Sequence, residues 1–219
     1  MIKTVIFDLD GTLLNTLEDL KDSTNFAMRE FGYGERSLEE VRNFVGNGVR
    51  KLIERAIKKP SPQPNGEEAN VDECLECFKK HYSQNMYNKT APYDGIIEVL
   101  ENLQSKGIKT GVVSNKFDAA VKELCKKYFN GLINIAIGQS DNVLTKPSPT
   151  GVFKVMEILN ADKNSTIYIG DSDVDVKTAK NAELKCIGVL WGFRDRENLK
   201  GADFIIDKPS NIIDVIENI

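Results

Sequence analysis

Short apolar runs that stop at a polar or glycine-containing turn recur along the chain. The first covers residues 4–7 and stops at Asp8. These runs are rich in β-branched residues and do not alternate strictly with polar ones, so they predict strands that are covered on both faces. The later runs of this kind lie at 108–113, 133–137, 166–169, 186–190 and 204–206.

Helical periodicity fills the intervals between these strands. Two predicted helix faces are formed by Ile96, Ile97, Leu100 and Leu103, and by Val152, Phe153, Met156 and Leu159. Strands that alternate with helices from residue 94 onward predict an α/β fold with a doubly wound, Rossmann-like parallel sheet. Several predicted helices follow residues suited to capping, namely Asn115, Ser148 and Ser172, the last with Asp175 three residues later.

The stretch from 15 to 88 has a different pattern. It shows helical periodicity and no convincing strand, with Leu17, Leu20, Thr24 and Met28 on one predicted face. The proline-rich segment 60–66 predicts a loop between two helices. We therefore expect a catalytic core at 1–14 and 89–219, and a helical cap domain at 15–88 inserted after the first strand.

Composition limits the classes of function. The 219 residues are 41% apolar, and the formal net charge of −4 disfavours nucleic acid or an anionic membrane surface as the main partner. No apolar stretch is long enough to span a bilayer, and Asp8 interrupts the first apolar run too early for a secretory signal. Four sparse cysteines indicate reduced thiols in a cytoplasmic protein.

Polar residues gather where the predicted strands end. Asp8, Asp10 and Gly11 follow the first strand, and the residues at 114–115 and 170–175 follow two later ones. In an open parallel sheet the carboxyl ends of the strands meet along one edge, where ligands bind. These residues therefore predict an anionic metal site beside a phosphate site.

The residue types suit phosphoryl transfer. A carboxylate such as Asp8 can attack phosphorus, and Asp10, two residues on, can act as general acid and then as general base. The carboxylates of Asp8 and Asp171 favour a hard cation such as Mg²⁺. Lys146 would supply a fixed positive charge for the transition state.

Several groups could bind the phosphate oxygens. We expect the backbone N–H groups from Leu9 to Gly11, the Ser114 hydroxyl and a helix N-terminus at Asn115 to donate to them. Ser114 and Asn115 could instead be ordinary cap residues, and Lys146 could be a solvated surface charge.

Four segments resemble the motifs of the haloacid dehalogenase superfamily, in the same order. They read DLDGTL at 8–13, SN at 114–115, KP at 146–147 and GDSDVD at 170–175. The resemblance implies that Asp8 is nucleophile and metal ligand, that Asp10 is acid/base with its carbonyl on the metal, and that Asp171 is a metal ligand. Ser114 and Lys146 would bind phosphate.

The same resemblance bears on the substrate. An acid at the position of Asp10 favours a phosphatase over a dehalogenase. VGNGV at 45–49, PYDG at 92–95 and WG at 191–192 are similar to phosphoglycolate phosphatases, which implies a small phosphorylated metabolite as substrate. The helical insert resembles the cap domain of that family.

Other residues leave two interpretations open. Asp175 could be a helix-capping residue or a neighbour of the metal ligands, and Ser172 shares that ambiguity. Gly46, Asn47 and Gly48 could form a substrate loop of the cap or a plain interhelical turn, with Arg50 as a cation for a substrate carboxylate or a solvated charge.

Cys74, Cys77 and His81 share one predicted helix face and could bind zinc, but a tetrahedral site lacks a fourth ligand. An ordinary helix face with two thiols is the favoured interpretation.

Alternative functions fit the same motifs. A pyrophosphatase or sugar phosphomutase could use this scaffold, although mutases of this type usually carry a histidine in the first cap helix and residues 16–31 contain none. A non-enzymatic phospho-accepting signalling domain could also use an aspartate and a lysine, but it needs neither a helical insert nor Asp10. No exposed apolar seam marks an oligomer interface, so monomer and dimer both stay open.

Overall fold

The computed structural model describes residues 1–58 and 70–219. The chain divides into two compact units: unit 1 comprises Met1–Asn15 and Pro92–Ile219, and unit 2 comprises Thr16–Ala91. The predicted loop at 60–66 lies outside the described residues. The assignment of 1–14 with 89–219 as a catalytic domain, and of 15–88 as a cap domain, stays a prediction about how the two parts work.

Six parallel strands form the sheet of unit 1, in the spatial order β5-β4-β1-β6-β7-β8. The described strands are β1 (Thr4–Phe7), β2 (Leu14–Asn15), β3 (Ala91–Pro92), β4 (Lys109–Phe117), β5 (Ile135–Gln139), β6 (Thr166–Gly170), β7 (Lys185–Val189) and β8 (Phe204–Ile206). The chain adds β4 and β5 on one side of β1 and then returns to add β6, β7 and β8 on the other. The predicted doubly wound α/β fold is confirmed, and the strand order reverses beside β1.

Helices connect these strands. The described α-helices are α1 (Leu17–Glu30), α2 (Leu38–Phe44), α3 (Val49–Lys58), α4 (Val71–Asn85), α5 (Ile96–Ser105), α6 (Asp118–Phe129), α7 (Thr150–Leu159), α8 (Asp173–Asn181) and α9 (Asn211–Glu217). Two short 3₁₀ helices lie at Lys163–Ser165 and Arg196–Leu199. None of the described helices combines the length and hydropathy that crossing a membrane requires.

The sheet of unit 1 is covered on both faces. Ile6 of β1 packs in one core cluster with Val152 and Val155 of α7. Val5 and Phe7, which alternate with Ile6 along the strand and so point to the other face, are also fully buried. Two-sided burial explains why the strand segments are apolar without alternation.

Unit 2 is built from α1 to α4. Met28 of α1 and Phe78 and Tyr82 of α4 are fully buried, and the two aromatic rings stack with centroids 5.5 Å apart. The buried Asp19 carboxylate accepts hydrogen bonds from the N–H groups of Lys89 and Thr90 and from the Thr90 hydroxyl. Asp19 thereby fixes the segment that leaves the helical unit.

Two predicted helix caps are wrong. α6 begins at Asp118 after Phe117, so Asn115 lies inside β4 instead of at a helix N-terminus. α7 begins at Thr150 after Pro149, so Ser148 lies one residue before the cap position, although its hydroxyl oxygen accepts from the Thr150 N–H at 3.4 Å. The capping box of Ser172 and Asp175 is confirmed at the start of α8.

Candidate active site

Asp8 lies at the carboxyl end of the central strand. Its N–H donates to the carbonyl of Ile169 at 2.9 Å, which continues the β1–β6 pairing one residue beyond β1. Its side chain is buried and lies beside the point where the strand order reverses. In folds of this type that point is where ligands bind.

Two further acids come together with Asp8. Asp171 follows β6, and Asp175 lies in the first turn of α8. Each of the three buried residues offers a carboxylate oxygen, and these oxygens lie within 4.8 Å of one another. We call this group the acidic trio; within residues 1–58 and 70–219 no other cluster of metal-binding side chains meets this spacing.

Lys146 supplies a cation to the acidic trio. Its Nζ lies 2.8 Å from Asp8 Oδ1 and 2.7 Å from Asp175 Oδ1, and it donates to the Tyr168 hydroxyl at 3.2 Å. Only 5% of the Lys146 side chain is exposed. The structure therefore places Lys146 beside Asp8, while its contact with a phosphate stays a prediction.

Burial and crowding shift the pKa values of these groups. Burial raises the pKa of Asp8 well above its ordinary value, and the charge of Lys146 only partly opposes that rise. Burial, with the charge of Asp175, raises the pKa of Asp171 to about 7. Burial acts to lower the pKa of Lys146, but Asp175 and Asp8 raise it well above its ordinary value, so the ammonium ion is retained.

The acidic trio fits a divalent cation. When all three carboxylates are ionised, they and the single ammonium group of Lys146 together carry two net negative charges. Asp8 Oδ1 is buried and accepts no well-directed hydrogen bond, because its ion pair with Lys146 lacks hydrogen-bond geometry. An all-oxygen donor set with this charge suits a hard divalent metal.

Asp171 is held by a backbone N–H and a side-chain hydroxyl from two different loops. The Phe193 N–H donates to Asp171 Oδ2 at 2.7 Å, and the Thr12 hydroxyl donates to Oδ1 at 3.4 Å. Two glycines leave room for the carboxylate. A Cβ on Gly11 would lie 2.5 Å from Asp171 Oδ2, and one on Gly192 would lie 2.4 Å from Asp171 Cβ.

Asp175 is fully buried, and both of its carboxylate oxygens accept hydrogen bonds. Its Oδ2 accepts from the Ser172 N–H at 3.1 Å and from the Ser172 hydroxyl at 2.5 Å. Its Oδ1 accepts from Lys146 and from the Tyr168 hydroxyl at 3.1 Å. Asp175 therefore caps α8 and contacts Lys146 at the same time, so both interpretations from the sequence are compatible with the geometry.

The Asp10 carboxylate does not belong to the acidic trio. Both of its oxygens accept from Lys116 Nζ at 2.9 Å, and the Lys116 side chain is only 1% exposed. The predicted metal contact of Asp10 would therefore come from its backbone carbonyl, as the family resemblance implies.

The predicted phosphate donors need two corrections. The Gly11 N–H donates to Leu14 O at 2.9 Å, so in this structure it is engaged within its own turn. The Asn115 side chain is bound to the backbone of Lys146, donating to Lys146 O at 3.1 Å and accepting from Lys146 N at 2.6 Å. Asn115 thereby fixes the backbone that carries Lys146, and no helix N-terminus is present there.

Ser114 and Leu9 stay predicted phosphate ligands. Ser114 is buried at the end of β4, and its hydroxyl oxygen accepts from Lys116 N at 3.3 Å. The Leu9 carbonyl accepts from the N–H groups of Leu13 and Leu14 and so closes the turn after β1.

Sequence reasoning missed three residues of the site. Lys116 follows Ser114 by two, so strand alternation could have placed both on one side of β4. Tyr168 could have been noticed as a polar side chain inside a buried strand. Phe193 contributes only a backbone N–H, for which the sequence offers no signal.

The predicted cap loop lies between α2 and α3 in unit 2. Gly46 and Gly48 have φ values of 114° and 88°, which side chains rarely adopt. Asn47 Oδ1 accepts from Arg55 at 2.7 Å, and Arg50 forms an ion pair with Asp72 on the surface of this unit. These contacts account for the local structure of the loop, and its role with substrate stays a prediction.

The cysteine and histidine side chains on α4 form no metal cluster within the described residues. Cys74 is buried, and burial raises its pKa to about 11. His81 stacks on Phe26 with centroids 4.1 Å apart and lies 3.0 Å from the Ser23 hydroxyl. These contacts agree with the interpretation of an ordinary helix face.

Comparison with known proteins agrees with the fold. Residues 5–189 match the model of the family described as haloacid dehalogenase-like hydrolase. A phosphoglycolate phosphatase of Aquifex aeolicus is 33% identical over 222 residues, covering 99% of this chain and 98% of that protein. A phosphoglycolate phosphatase of Agrobacterium fabrum is 34% identical over 192 residues, covering 87% and 81%.

Solved structures are similar over the same length. The crystal structure of a candidate phosphoglycolate phosphatase from Lactobacillus delbrueckii subsp. bulgaricus superposes with a TM-score of 0.90 at 33% identity, covering 98% of both chains. The family match identifies a hydrolase, and a doubly wound sheet with an acidic trio and a buried lysine at its reversal point is compatible with that class. The chain belongs to the haloacid dehalogenase-like hydrolase family, and it is a phosphoric monoester hydrolase.

Proposed function

We propose that this enzyme is a Mg²⁺-dependent phosphatase that hydrolyses a small phosphomonoester through an aspartyl-phosphate on Asp8. The observation that carries the proposal is the buried Asp8 carboxylate, 2.8 Å from Lys146 at the reversal point of the sheet. The two relatives named phosphoglycolate phosphatase make phosphoglycolate the favoured substrate. A cytoplasmic location is part of the same proposal.

In the first step, an Asp8 carboxylate oxygen attacks the phosphorus atom. The new phosphorus–oxygen bond forms while the bond to the leaving oxygen breaks, and Asp10 donates a proton to that oxygen. Lys146 and Ser114 bind the phosphoryl oxygens and oppose the charge that they carry.

In the second step, a water molecule attacks the same phosphorus atom. Asp10, now ionised, accepts a proton from the water, and the bond between phosphorus and Asp8 breaks. Inorganic phosphate leaves, the Asp8 carboxylate is restored, and Asp10 is again protonated for the next cycle.

Asp8 and Asp171 would hold the Mg²⁺ ion with their carboxylates, and Asp10 would add its backbone carbonyl. The ion supplies positive charge that reduces the repulsion between a carboxylate nucleophile and an anionic phosphate. Oxygen donors alone favour Mg²⁺ over softer metals at such a site.

Phosphate release from a substrate panel tests the proposal. The panel contains phosphoglycolate, a sugar phosphate and pyrophosphate, each with Mg²⁺ and with excess EDTA. We expect Mg²⁺-dependent release that is highest for phosphoglycolate. Asp8→Asn should abolish the release, because an amide cannot replace the carboxylate nucleophile.

Asp214→Asn is the matched control, because it makes the same change at an exposed position of α9 and should keep wild-type turnover. Unchanged turnover in Asp8→Asn would refute the mechanism, and preferred hydrolysis of pyrophosphate would replace the substrate assignment.

A further inference from the structure

The Lys116–Asp10 pair stands apart from the acidic trio. Lys116 Nζ donates to both oxygens of Asp10 at 2.9 Å, so one ammonium group bridges the whole carboxylate. The side chains are 1% and 12% exposed. Burying an ammonium group carries a large desolvation cost, so an ion pair at this depth calls for a reason other than stability.

The local structure fixes Lys116 firmly. β4 continues through Ser114, Asn115 and Lys116, and the Lys116 N–H donates to the Ser114 hydroxyl. The neighbouring Asn115 is bound through its side chain to the Lys146 backbone. The end of β4 therefore cannot shift without disturbing Lys146 as well.

The two buried lysines form ion pairs with different aspartates. Lys146 contacts Asp8 and Asp175, whereas Lys116 contacts Asp10. We propose that Lys116 is a positioning residue that holds the Asp10 carboxylate in the orientation from which it exchanges protons with the leaving oxygen and with water. This inference rests on the proposed function, because it assigns Lys116 a part in the same reaction.

Lys116 would assist the reaction because of the negative charge that forms on Asp10 during proton transfer. When Asp10 gives its proton to the leaving oxygen, a negative charge forms on the carboxylate that Lys116 already faces. The ammonium–carboxylate attraction is then stronger in the transition state than before it, which is the condition for an interaction to speed a reaction. Fixing the carboxylate plane also removes the freedom to rotate away from the leaving oxygen.

Two aryl esters that differ in leaving group give a specific test. The 4-nitrophenolate ion leaves without help, whereas phenolate, the stronger base, needs a proton. The measured quantity is kcat/KM with Mg²⁺, which covers all steps up to the transfer of the phosphoryl group. Lys116→Met should lower kcat/KM for phenyl phosphate at least about tenfold more than for 4-nitrophenyl phosphate.

Two variants show whether the loss comes from the missing cation. Lys116→Arg keeps the charge and should restore part of the rate with phenyl phosphate. In an Asp10→Asn background, Lys116→Met should have little further effect, because the lysine then has no carboxylate to position. That double variant also leaves no unpaired carboxylate at the position, so it reports on Lys116 even if the single variant folds poorly.

Lys122→Met is the matched control, because Lys122 forms an exposed ion pair with Asp118 on α6 and should leave both rates unchanged. Equal losses on the two esters, or an undiminished loss in the Asp10→Asn background, would overturn the inference and leave the phosphatase proposal standing. A wild-type enzyme that hydrolyses neither these esters nor phosphoglycolate would overturn the proposed function, and the inference with it.

Discussion

Asp171 shows, at the scale of single residues, how the backbone can determine the place of a charged group. Its Oδ2 accepts a hydrogen bond from the Phe193 N–H. Gly11 and Gly192 have no side chains, which leaves the space that the carboxylate occupies. Partners of this kind orient a metal ligand, and losing one commonly lowers metal affinity. The turn at 191–193 is therefore part of the candidate metal site even though it offers no ligand itself.

Gly192→Ala should weaken Mg²⁺ binding by about tenfold or more. The added Cβ would lie 2.3 Å from Gly11 O and 2.4 Å from Asp171 Cβ, so either the turn or the carboxylate must move. Calorimetric titration of the purified variant with Mg²⁺ measures the change.

Gly107→Ala is the control for that experiment. Gly107 has a φ of +68° with nothing within 4 Å of an added Cβ, so the substitution strains the backbone by roughly 1–2 kcal/mol without reaching the site. It should lower the free energy of unfolding while Mg²⁺ affinity stays unchanged. Equal Mg²⁺ affinity in the wild type and Gly192→Ala would show that the turn does not position Asp171.

At the scale of elements, β1 and β4 show what local pattern can predict. The apolar run at 4–7 has the bounds of β1, because a run of β-branched and aromatic residues suits a strand that is buried on both faces. The run at 108–113 ends too early, because β4 continues to Phe117. Polar residues usually end a buried strand, but here distant partners satisfy them: Lys146 for Asn115 and Asp10 for Lys116.

Some residues of the candidate site could likewise be predicted from the sequence, and others could not. Asp8, Lys146 and Asp171 could be placed together from the sequence, because strand ends of a parallel sheet meet along one edge. The contacts of Phe193 and Gly192 could not, because almost every residue carries a backbone N–H and because the sequence does not show which distant side chain approaches a given glycine. Residue type and local spacing predict a helix cap at Asn115, but the hydrogen bonds that it makes instead join residues 31 positions apart.

At the scale of the whole molecule, the acidic trio links metal binding to stability. Folding raises the pKa of Asp171 from an ordinary value of 3.8 to about 7, chiefly through burial. An acid with a raised pKa binds its proton more tightly in the folded state, so the metal-free protein loses stability as the pH rises from about 4 through 7. A cation bound to the ionised carboxylates of Asp8 and Asp171 would reverse that loss.

Mg²⁺ should therefore raise the melting temperature more at pH 8 than at pH 6. Above pH 7 the cation meets ionised carboxylates, whereas below it the cation competes with protons. Each kcal/mol gained should appear as about 2–4 °C in a protein of this size. Thermal unfolding with and without Mg²⁺ at the two pH values measures the difference, and a larger shift at pH 6 would contradict the assignment of Asp8 and Asp171 as metal ligands.

The proposed mechanism depends on a covalent bond between Asp8 and the phosphoryl group. Rapid acid quenching during turnover of phosphoglycolate, followed by borohydride reduction and peptide mass analysis, tests it directly, because reduction converts an aspartyl-phosphate to homoserine. We predict that homoserine appears at position 8 and only when substrate and Mg²⁺ are both present. An unmodified Asp8 during rapid turnover, or a phosphoryl group trapped on a different residue, would contradict the account.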